Sequence, residues 1–354
     1  MSRANHLAKR GWGRTYPNPL VGAVVARHGE IVGSGAHEEF GGPHAEAVAL
    51  ADAGDAARGA TLYVTLEPCT HTGKQPPCTR AILAAGIART VIAVRDPDPI
   101  AAGGAEQLRQ AGVAVEIGLL GPAAARRNFR FLHRFKGHRR PFVAVKLAVS
   151  MDGRIADAKG RSRWISNGAS REWVHWLRAG FGALAVGGDT AVADGAQLTV
   201  RGATQPRIAP LRIVFDRGGR VAPGHPLFED AGAAPLAIIV GSGVPLAHRE
   251  AIAAAGAQVV LADTLPVALE ALHDRGVDSV LVEGGGRLAG ALWREGLVDR
   301  VYQIQSPVWL GDGTAGWQGL GQPDLESAKR WRVVDVQPFR ISDQDIDVLT
   351  ELEP

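Results

Sequence analysis

Cysteine is nearly absent, at two in 354 residues, which is too few for a disulfide framework and fits a reducing, cytoplasmic setting. Long apolar runs are missing as well. None approaches the ~20 residues of a membrane helix, so no membrane partner is expected. The first residues, Met1-Ser2-Arg3-Ala4-Asn5-His6, carry no apolar stretch behind their charge, so a signal peptide is not expected either. A strong charge of one sign is also lacking. The net charge of +3 is mild, and a phosphorylated small substrate accounts for it as well as nucleic acid would. The densest basic stretch, Arg126 to Arg140, reads as a solvated helix and linker between domains rather than a nucleic-acid patch. Hydrophobic residues at 46% and charged residues at 21% exclude a disordered chain or a fibre, and the length suits two domains.

What is present is concentrated around His44-Ala45-Glu46. Both cysteines follow prolines, in Pro68-Cys69 and Pro76-Pro77-Cys78, with eight residues between them. A histidine and two thiols suit a zinc ion that keeps one position open for water, and a nearby carboxylate suits the general acid–base of a hydrolytic deaminase. In the middle of a helix His44 and Glu46, two apart, point to different sides. They serve one site only if a helix aims its N-terminal end there, and Pro43 as first helical position provides that start. Cys78 likewise opens its own helix, where the positive end of the dipole favours thiolate. His44, Cys69 and Cys78 are thus the expected zinc ligands and Glu46 the expected catalytic residue. The alternative is a closed structural site with His71 as fourth ligand, which leaves Glu46 without a role.

The pattern of the first half predicts a hairpin from Leu20 to Arg27 and Ile31 to Ala36, then a helix over His44 to Ala53. A strand over Thr61 to Leu66, a helix over Pro77 to Ala85, a strand over Thr90 to Val94, a helix over Glu106 to Ala111 and a strand over Val113 to Ile117 follow. That alternation predicts a three-layer α/β domain. A second α/β unit begins with the β-prone run Pro141 to Val149. It continues with a helix over Ser170 to Ala179, a strand over Ala183 to Val186, a loop at Gly187-Gly188-Asp189-Thr190, and strands over Leu211 to Phe215, Leu236 to Val240, Gln258 to Leu261, Ser279 to Val282 and Arg300 to Ile304. Val280 to Leu288 reads as strand, triple glycine and helix, where backbone amides can approach a phosphate closely. It is not the Gly-x-Gly-x-x-Gly fingerprint.

The segments Pro17-Asn18-Pro19-Leu20-Val21-Gly22, Gly35-Ala36-His37, Gly42-Pro43-His44-Ala45-Glu46 and Thr65-Leu66-Glu67-Pro68-Cys69 through Pro76-Pro77-Cys78 resemble the deaminase half of the bifunctional riboflavin-biosynthesis family RibD. The long gap between the cysteines, ending in a double proline, resembles that family more than the short Cys-x-x-Cys of cytidine and tRNA deaminases. The resemblance implies that Asn18 and His37 contact a pyrimidine substrate. Lys146 to Gly153, Ser162-Arg163-Trp164-Ile165, Arg178, Thr190 with Asp194, Leu198-Thr199-Val200-Arg201 and Glu283 to Gly286 resemble, in order, the reductase half of the same family. It implies that Ala148, Trp164, Thr190, Asp194, Gly284, Gly285 and Gly286 line an NADPH site. Ser162, Arg178, Leu198, Arg201 and Glu283 would then face a phosphoribosyl substrate, with Arg178 and Arg201 able to clamp its phosphate. Two departures stand out: Gly195-Ala196 follows Asp194 where the family usually has Asp-Pro, and Asp98 stands where it usually has asparagine.

The resemblance therefore implies a cytidine-deaminase-like three-layer α/β/α domain over residues 1–140 and a dihydrofolate-reductase-like α/β domain over residues 141–354. It implies zinc-dependent deamination of a diaminopyrimidinone phosphoribosylamine, then NADPH-dependent reduction of its ribose to a ribityl chain. A homo-oligomer, dimer or tetramer, is expected. Two rival readings remain at this point: a nucleobase or tRNA deaminase fused to an oxidoreductase of another pathway, and a zinc-stabilised NADP-binding module without catalysis.

Overall fold

A computed structural model gives the fold of residues 1–229, 234–321 and 324–354. The chain divides into two compact units, Met1–His138 with Pro206–Ile208, and Arg139–Gln205 with Ala209–Pro354.

The first unit contains α1 (Ser2–Leu7), β1 (Gly22–Arg27), β2 (Glu30–Ala36), α2 (Ala45–Ala53), β3 (Thr61–Val64), α3 (Cys78–Ala84), β4 (Arg89–Ile92), α4 (Gly104–Gln110), β5 (Ala114–Ile117), α5 (Gly121–Arg127) and α6 (Phe129–His133). Among the described residues its five strands form one sheet in the order β2-β1-β3-β4-β5. The hairpin turns at His28-Gly29, both with positive φ, the two-residue geometry that matches strand twist. β1 runs antiparallel to β2 and β3, while β3, β4 and β5 are parallel. The core holds Ala23, Val25, Ala45, Ala49, Leu62, Val64, Ile82, Ile92 and Leu108.

Glycines set how close α2 lies to the sheet. A Cβ on Gly33 would meet the Ala49 carbonyl oxygen at 2.3 Å, and one on Gly35 would meet that of Ala45 at 2.5 Å. The helix thus rests directly on β2, and this seats its N-terminal end. Pro43 is not the first helical residue, contrary to the sequence expectation. His44 is the N-cap, with extended backbone (φ −75°, ψ 156°), and the helix begins at Ala45. The Arg126–Arg140 stretch, expected as a solvated helix and linker, is helical to His133 and exposed from Lys136 to Arg139, but its helical part is packed rather than solvated. Asn128, Phe129 and His133 are buried. The Leu20 amide donates to Asn128 Oδ1 (2.7 Å), and Asn128 Nδ2 donates to the Leu20 carbonyl (2.8 Å), so the segment is pinned beside β1.

The second unit contains β6 (Phe142–Val149), β7 (Arg154–Ala156), α7 (Gly168–Ala179), β8 (Ala183–Gly187), α8 (Gly188–Asp194), β9 (Leu211–Phe215), β10 (Leu236–Val240), α9 (Leu246–Ala254), β11 (Gln258–Leu261), α10 (Leu265–Asp274), β12 (Ser279–Glu283), α11 (Gly286–Arg294), β13 (Arg300–Gln305), β14 (Thr314–Ala315), β15 (Arg332–Arg340) and β16 (Ile346–Glu353). Among the described residues the main sheet has the order β11-β10-β9-β8-β12-β6-β13-β16-β15. It is parallel from β11 through β13, and antiparallel where β16 joins β13 and β15. Its parallel strands read as near-continuous apolar runs because they are covered on both faces. β12, for instance, is buried at every residue.

The expected loop at Gly187 to Thr190 is instead the start of helix α8, with Gly187 as N-cap. Gly-Gly-Asp-Thr reads as a turn by composition, but the same small and polar residues also begin helices. From β8 the chain steps outward through β9, β10 and β11, then returns with β12 on the other side of β8. Such a reversal leaves a crevice at the carboxyl ends of the two strands, and the glycines at Gly187-Gly188 and Gly284 to Gly286 both lie there.

Candidate active sites

In the first unit His44, Cys69 and Cys78 come together. Their donor atoms all lie within 4.8 Å of one another, and among the described residues neither His71 nor Glu46 joins them. His44 Nδ1 is 3.2 Å from Cys78 Sγ and 3.6 Å from Cys69 Sγ. The Cys78 amide, at the start of α3, donates to Cys69 Sγ at 3.4 Å. Hydrogen bonds from Cys78 and His44 hold the Cys69 thiol well below its ordinary pKa despite burial, while Cys78 is pushed up. Two soft sulfurs and one imidazole suit zinc, and three protein donors are the number that leaves a position open. Glu46, on the first turn of α2, is buried, and burial pushes its carboxyl up to about 7.

A residue whose role the sequence did not disclose supports the Cys69 loop. Glu67 is buried; the Ala105 amide donates to its Oε1 (2.9 Å) and the Asp96 amide to its Oε2 (3.1 Å). The carboxylate thus ties the strand end just before Pro68-Cys69 to the first turn of α4. A carboxylate two residues before a ligand was the available signal. Asn18 and His37 also meet. Asn18 Nδ2 is 3.1 Å from His37 Nε2, and His37 Nδ1 is 3.0 Å from the Pro43 carbonyl oxygen.

In the second unit a cleft of about 1940 Å³ opens at the strand reversal, roughly twice the upper range for a small-ligand pocket. Ala148, Ser162, Trp164, Arg178, Thr190, Asp194, Leu198, Arg201, Glu283 and Gly284 to Gly286 all line it. The glycine turn at the mouth of the cleft is set by the chain itself: Gly284 and Gly285 have positive φ. A Cβ on Gly285 would meet Thr190 Oγ1 at 2.8 Å, and one on Gly286 the Ala315 carbonyl oxygen at 2.6 Å. Ser162 Oγ donates to Asp194 Oδ1 at 3.4 Å.

Arg178 differs from the simple picture of a phosphate clamp. Its Nε and Nη2 donate to the two oxygens of Glu283 (2.5 and 2.9 Å), and its Nη1 donates to the Thr199 carbonyl (2.8 Å). A guanidinium so engaged orients its neighbours, and the exposed Arg201 is the freer of the two cations. Lys146 Nζ lies 3.9 Å from Glu283 Oε2. Burial alone raises a carboxyl's pKa, but Arg178 and Lys146 outweigh it and hold Glu283 at about 2. Burial also lowers the Lys146 pKa.

Comparison with known proteins agrees with this division. The family model for the RibD C-terminal domain matches residues 141–340, and that for the cytidine and deoxycytidylate deaminase zinc-binding region matches residues 1–94. The riboflavin biosynthesis protein RibD of Synechocystis is 41% identical over 91% of this chain and 87% of its own length. The chain belongs to the RibD family. The RibD of Escherichia coli is 40% identical over 97% of this chain and 94% of that protein. Among solved structures, a diaminohydroxyphosphoribosylaminopyrimidine deaminase/5-amino-6-(5-phosphoribosylamino)uracil reductase from Thermotoga maritima matches with a TM-score of 0.80 and 37% identity, covering 100% of this chain and 97% of that one.

The structure explains how this RibD-family chain accommodates its two departures. Gly195 closes α8 in the left-handed region (φ 56°), where glycine is the least strained residue. Asp98 Oδ1 accepts from the Ile100 amide at 3.0 Å, a turn that aspartate and asparagine make equally well.

Proposed function

We propose that the chain is a bifunctional enzyme of riboflavin biosynthesis. Residues 1–140 would deaminate 2,5-diamino-6-(5-phosphoribosylamino)pyrimidin-4(3H)-one, and residues 141–354 would then reduce the ribosyl group to a ribityl chain with NADPH. The observation that carries the reading is the open His44, Cys69 and Cys78 cluster with Glu46 buried beside it, on the same chain as a dinucleotide-sized cleft. The rival without catalysis leaves Glu46 without a role. A tRNA deaminase is disfavoured because several arginines of the basic stretch that supported it are engaged within the protein: Arg130 lies over the Tyr16 ring, Arg134 donates to the Pro17 carbonyl and Arg140 pairs with Asp299.

In the first site His44, Cys69 and Cys78 would hold Zn²⁺, which when bound lowers the pKa of water toward ~7. Glu46 takes a proton from the attacking water and returns it to the ring nitrogen and the departing ammonia. Water and the C–NH₂ group become C=O and NH₃. Asn18 and His37 stand on the pyrimidine side.

In the second site Gly284, Gly285 and Gly286 would receive the NADPH phosphates at the N-terminus of α11, with Ala148, Trp164, Thr190 and Asp194 along the cofactor. NADPH supplies hydride. Arg201 would meet the substrate phosphate, with Ser162 and Leu198 beside it. The Arg178–Glu283 pair and Lys146 fix the polar floor against which the open-chain sugar carbonyl is held. The carbonyl carbon gains the hydride and its oxygen a proton, leaving NADP⁺ and an alcohol.

A cytoplasmic location is supported by two unpaired, buried cysteines. No described helix is long and apolar enough to cross a membrane. Assembly into a dimer or tetramer is supported by β15, an edge strand with exposed Val333 and Val336, since unpaired edges invite strand pairing. The deciding experiment supplies the diaminopyrimidinone with and without NADPH. Ammonia is expected without cofactor and NADPH oxidation only after deamination. NADPH oxidation preceding ammonia release would overturn the order, and no ammonia at all would overturn the assignment.

A further inference from the structure

His37 is 2% exposed, and both of its ring nitrogens are engaged. Nδ1 faces the Pro43 carbonyl oxygen at 3.0 Å, and Nε2 faces the amide nitrogen of Asn18 at 3.1 Å. A carbonyl oxygen only accepts, so Nδ1 carries the hydrogen. An amide NH₂ only donates, so Nε2 presents a lone pair. The two ends independently require the same form, the neutral ring protonated on Nδ1. A ring protonated on Nε2 would need the Asn18 amide turned over, with Oδ1 towards the histidine.

This contact orients Asn18. Its amide nitrogen is directed to His37, and among the described residues no donor reaches its Oδ1. That oxygen is not among the buried atoms lacking a partner, so it keeps some accessible surface. The backbone around it is held as well. The Asn18 amide donates to the Thr15 carbonyl (2.9 Å), Thr15 Oγ1 donates to the Asn18 carbonyl (3.2 Å), and prolines stand on both sides. On the other flank Pro43 directly precedes His44. A single imidazole therefore joins the residue before one member of the donor cluster to the side chain on the pyrimidine side.

We infer that His37 is a positioning residue, which holds Asn18 so that Oδ1 faces the substrate as an acceptor, and that the site thereby selects a pyrimidine edge bearing N–H rather than C=O. The inference rests on the reading of this unit as the deaminase. It deepens that reading, because His37 then acts through Asn18 rather than on the substrate. The diaminopyrimidinone carries N–H groups on and beside its reacting amidine carbon, and an acceptor suits them. A carbonyl placed there would leave two acceptors facing each other in a half-buried site, an unfavourable arrangement.

The test has two parts. In zinc-loaded enzyme with ¹⁵N-labelled histidine, two-bond ¹H–¹⁵N correlations at neutral pH are expected to show His37 protonated on Nδ1 alone. An Nε2–H ring or an imidazolium overturns the proposal, and this readout needs neither substrate nor a variant. In the second part His37→Leu is expected to raise the deaminase KM about three- to tenfold, the scale of one lost hydrogen bond, with a smaller change in kcat and unchanged zinc content. His37→Gln, which keeps one donor and one acceptor, is expected to recover most of that KM. A fall in kcat at unchanged KM, or a Gln variant as impaired as Leu, overturns the positioning role. A wild-type enzyme that releases no ammonia from the pyrimidine sinks the functional reading and this role with it. An active wild type with the wrong tautomer sinks this role alone.

Discussion

Glu46 and Glu283 are both buried carboxyl groups, and their surroundings drive them in opposite directions. Burial dominates at Glu46 and lifts it to about 7, so it can both accept and return a proton near neutrality. At Glu283 the charges of Arg178 and Lys146 override burial and hold it at about 2, so it stays an anion and keeps its partners in place. Glu46→Gln is expected to lower the deaminase kcat by ~10²–10⁴ while zinc is retained, as read by ammonia release and metal analysis. Glu283→Gln removes the counter-charge of the buried Arg178. The loss of a partner from a buried pair is expected to cost ~3–5 kcal/mol, measured by denaturant unfolding of the second unit. Both carboxyls were visible in their motifs, but their opposite states were not, because a pKa depends on neighbours far away in sequence: Arg178 lies 105 residues from Glu283.

At the scale of elements, the donor cluster depends on where three segments end. α2 is seated by Gly33 and Gly35, α3 begins at Cys78, and the Cys69 loop is held by Glu67. Gly35→Val would drive its Cβ into the Ala45 carbonyl, 2.5 Å away, and push the first turn of α2 off the sheet. The expected outcome is reduced zinc affinity together with a lower melting temperature, by metal titration and thermal unfolding; a variant that melts lower but binds zinc as before would disconnect the two. Most strands and helices were legible from periodicity. β15 and β16 were not, because β15 is an edge strand exposed along most of its length and interrupted by Pro338. An edge tolerates proline, and a strand exposed at successive residues on both faces leaves no alternating pattern to read. The sequence predicts a loop over Gly187 to Thr190 because these residues are ordinary turn formers, and only their place after a buried strand makes them the start of α8.

At the scale of the whole molecule, two chemistries on one chain predict separable losses and a definite acid response. Glu46→Gln is expected to leave NADPH oxidation intact when the deaminated intermediate is supplied. The Glu283 pKa is depressed on folding from an unfolded value of about 4.3 to about 2. Its contribution to stability is therefore fully present above pH ~4.3 and lost as pH falls towards 2. The unfolding midpoint of the second unit is expected to drop across that window, and Glu283→Gln is expected to flatten the dependence.

Residue type and spacing alone determined that this chain carries a histidine, two thiols and a carboxylate fit for an open zinc site, followed by a second α/β unit with a glycine turn after a buried strand. These features are local, set by hydrophobic period, proline-started helices and the chemistry of the side chains. Only the tertiary structure decided that His71 stays out of the donor cluster, that Arg178 is committed to Glu283, that Glu67 braces the Cys69 loop, and that Asn18 and His37 share a hydrogen bond. Each of these depends on which distant segments meet, and the protonation states follow from that burial and pairing.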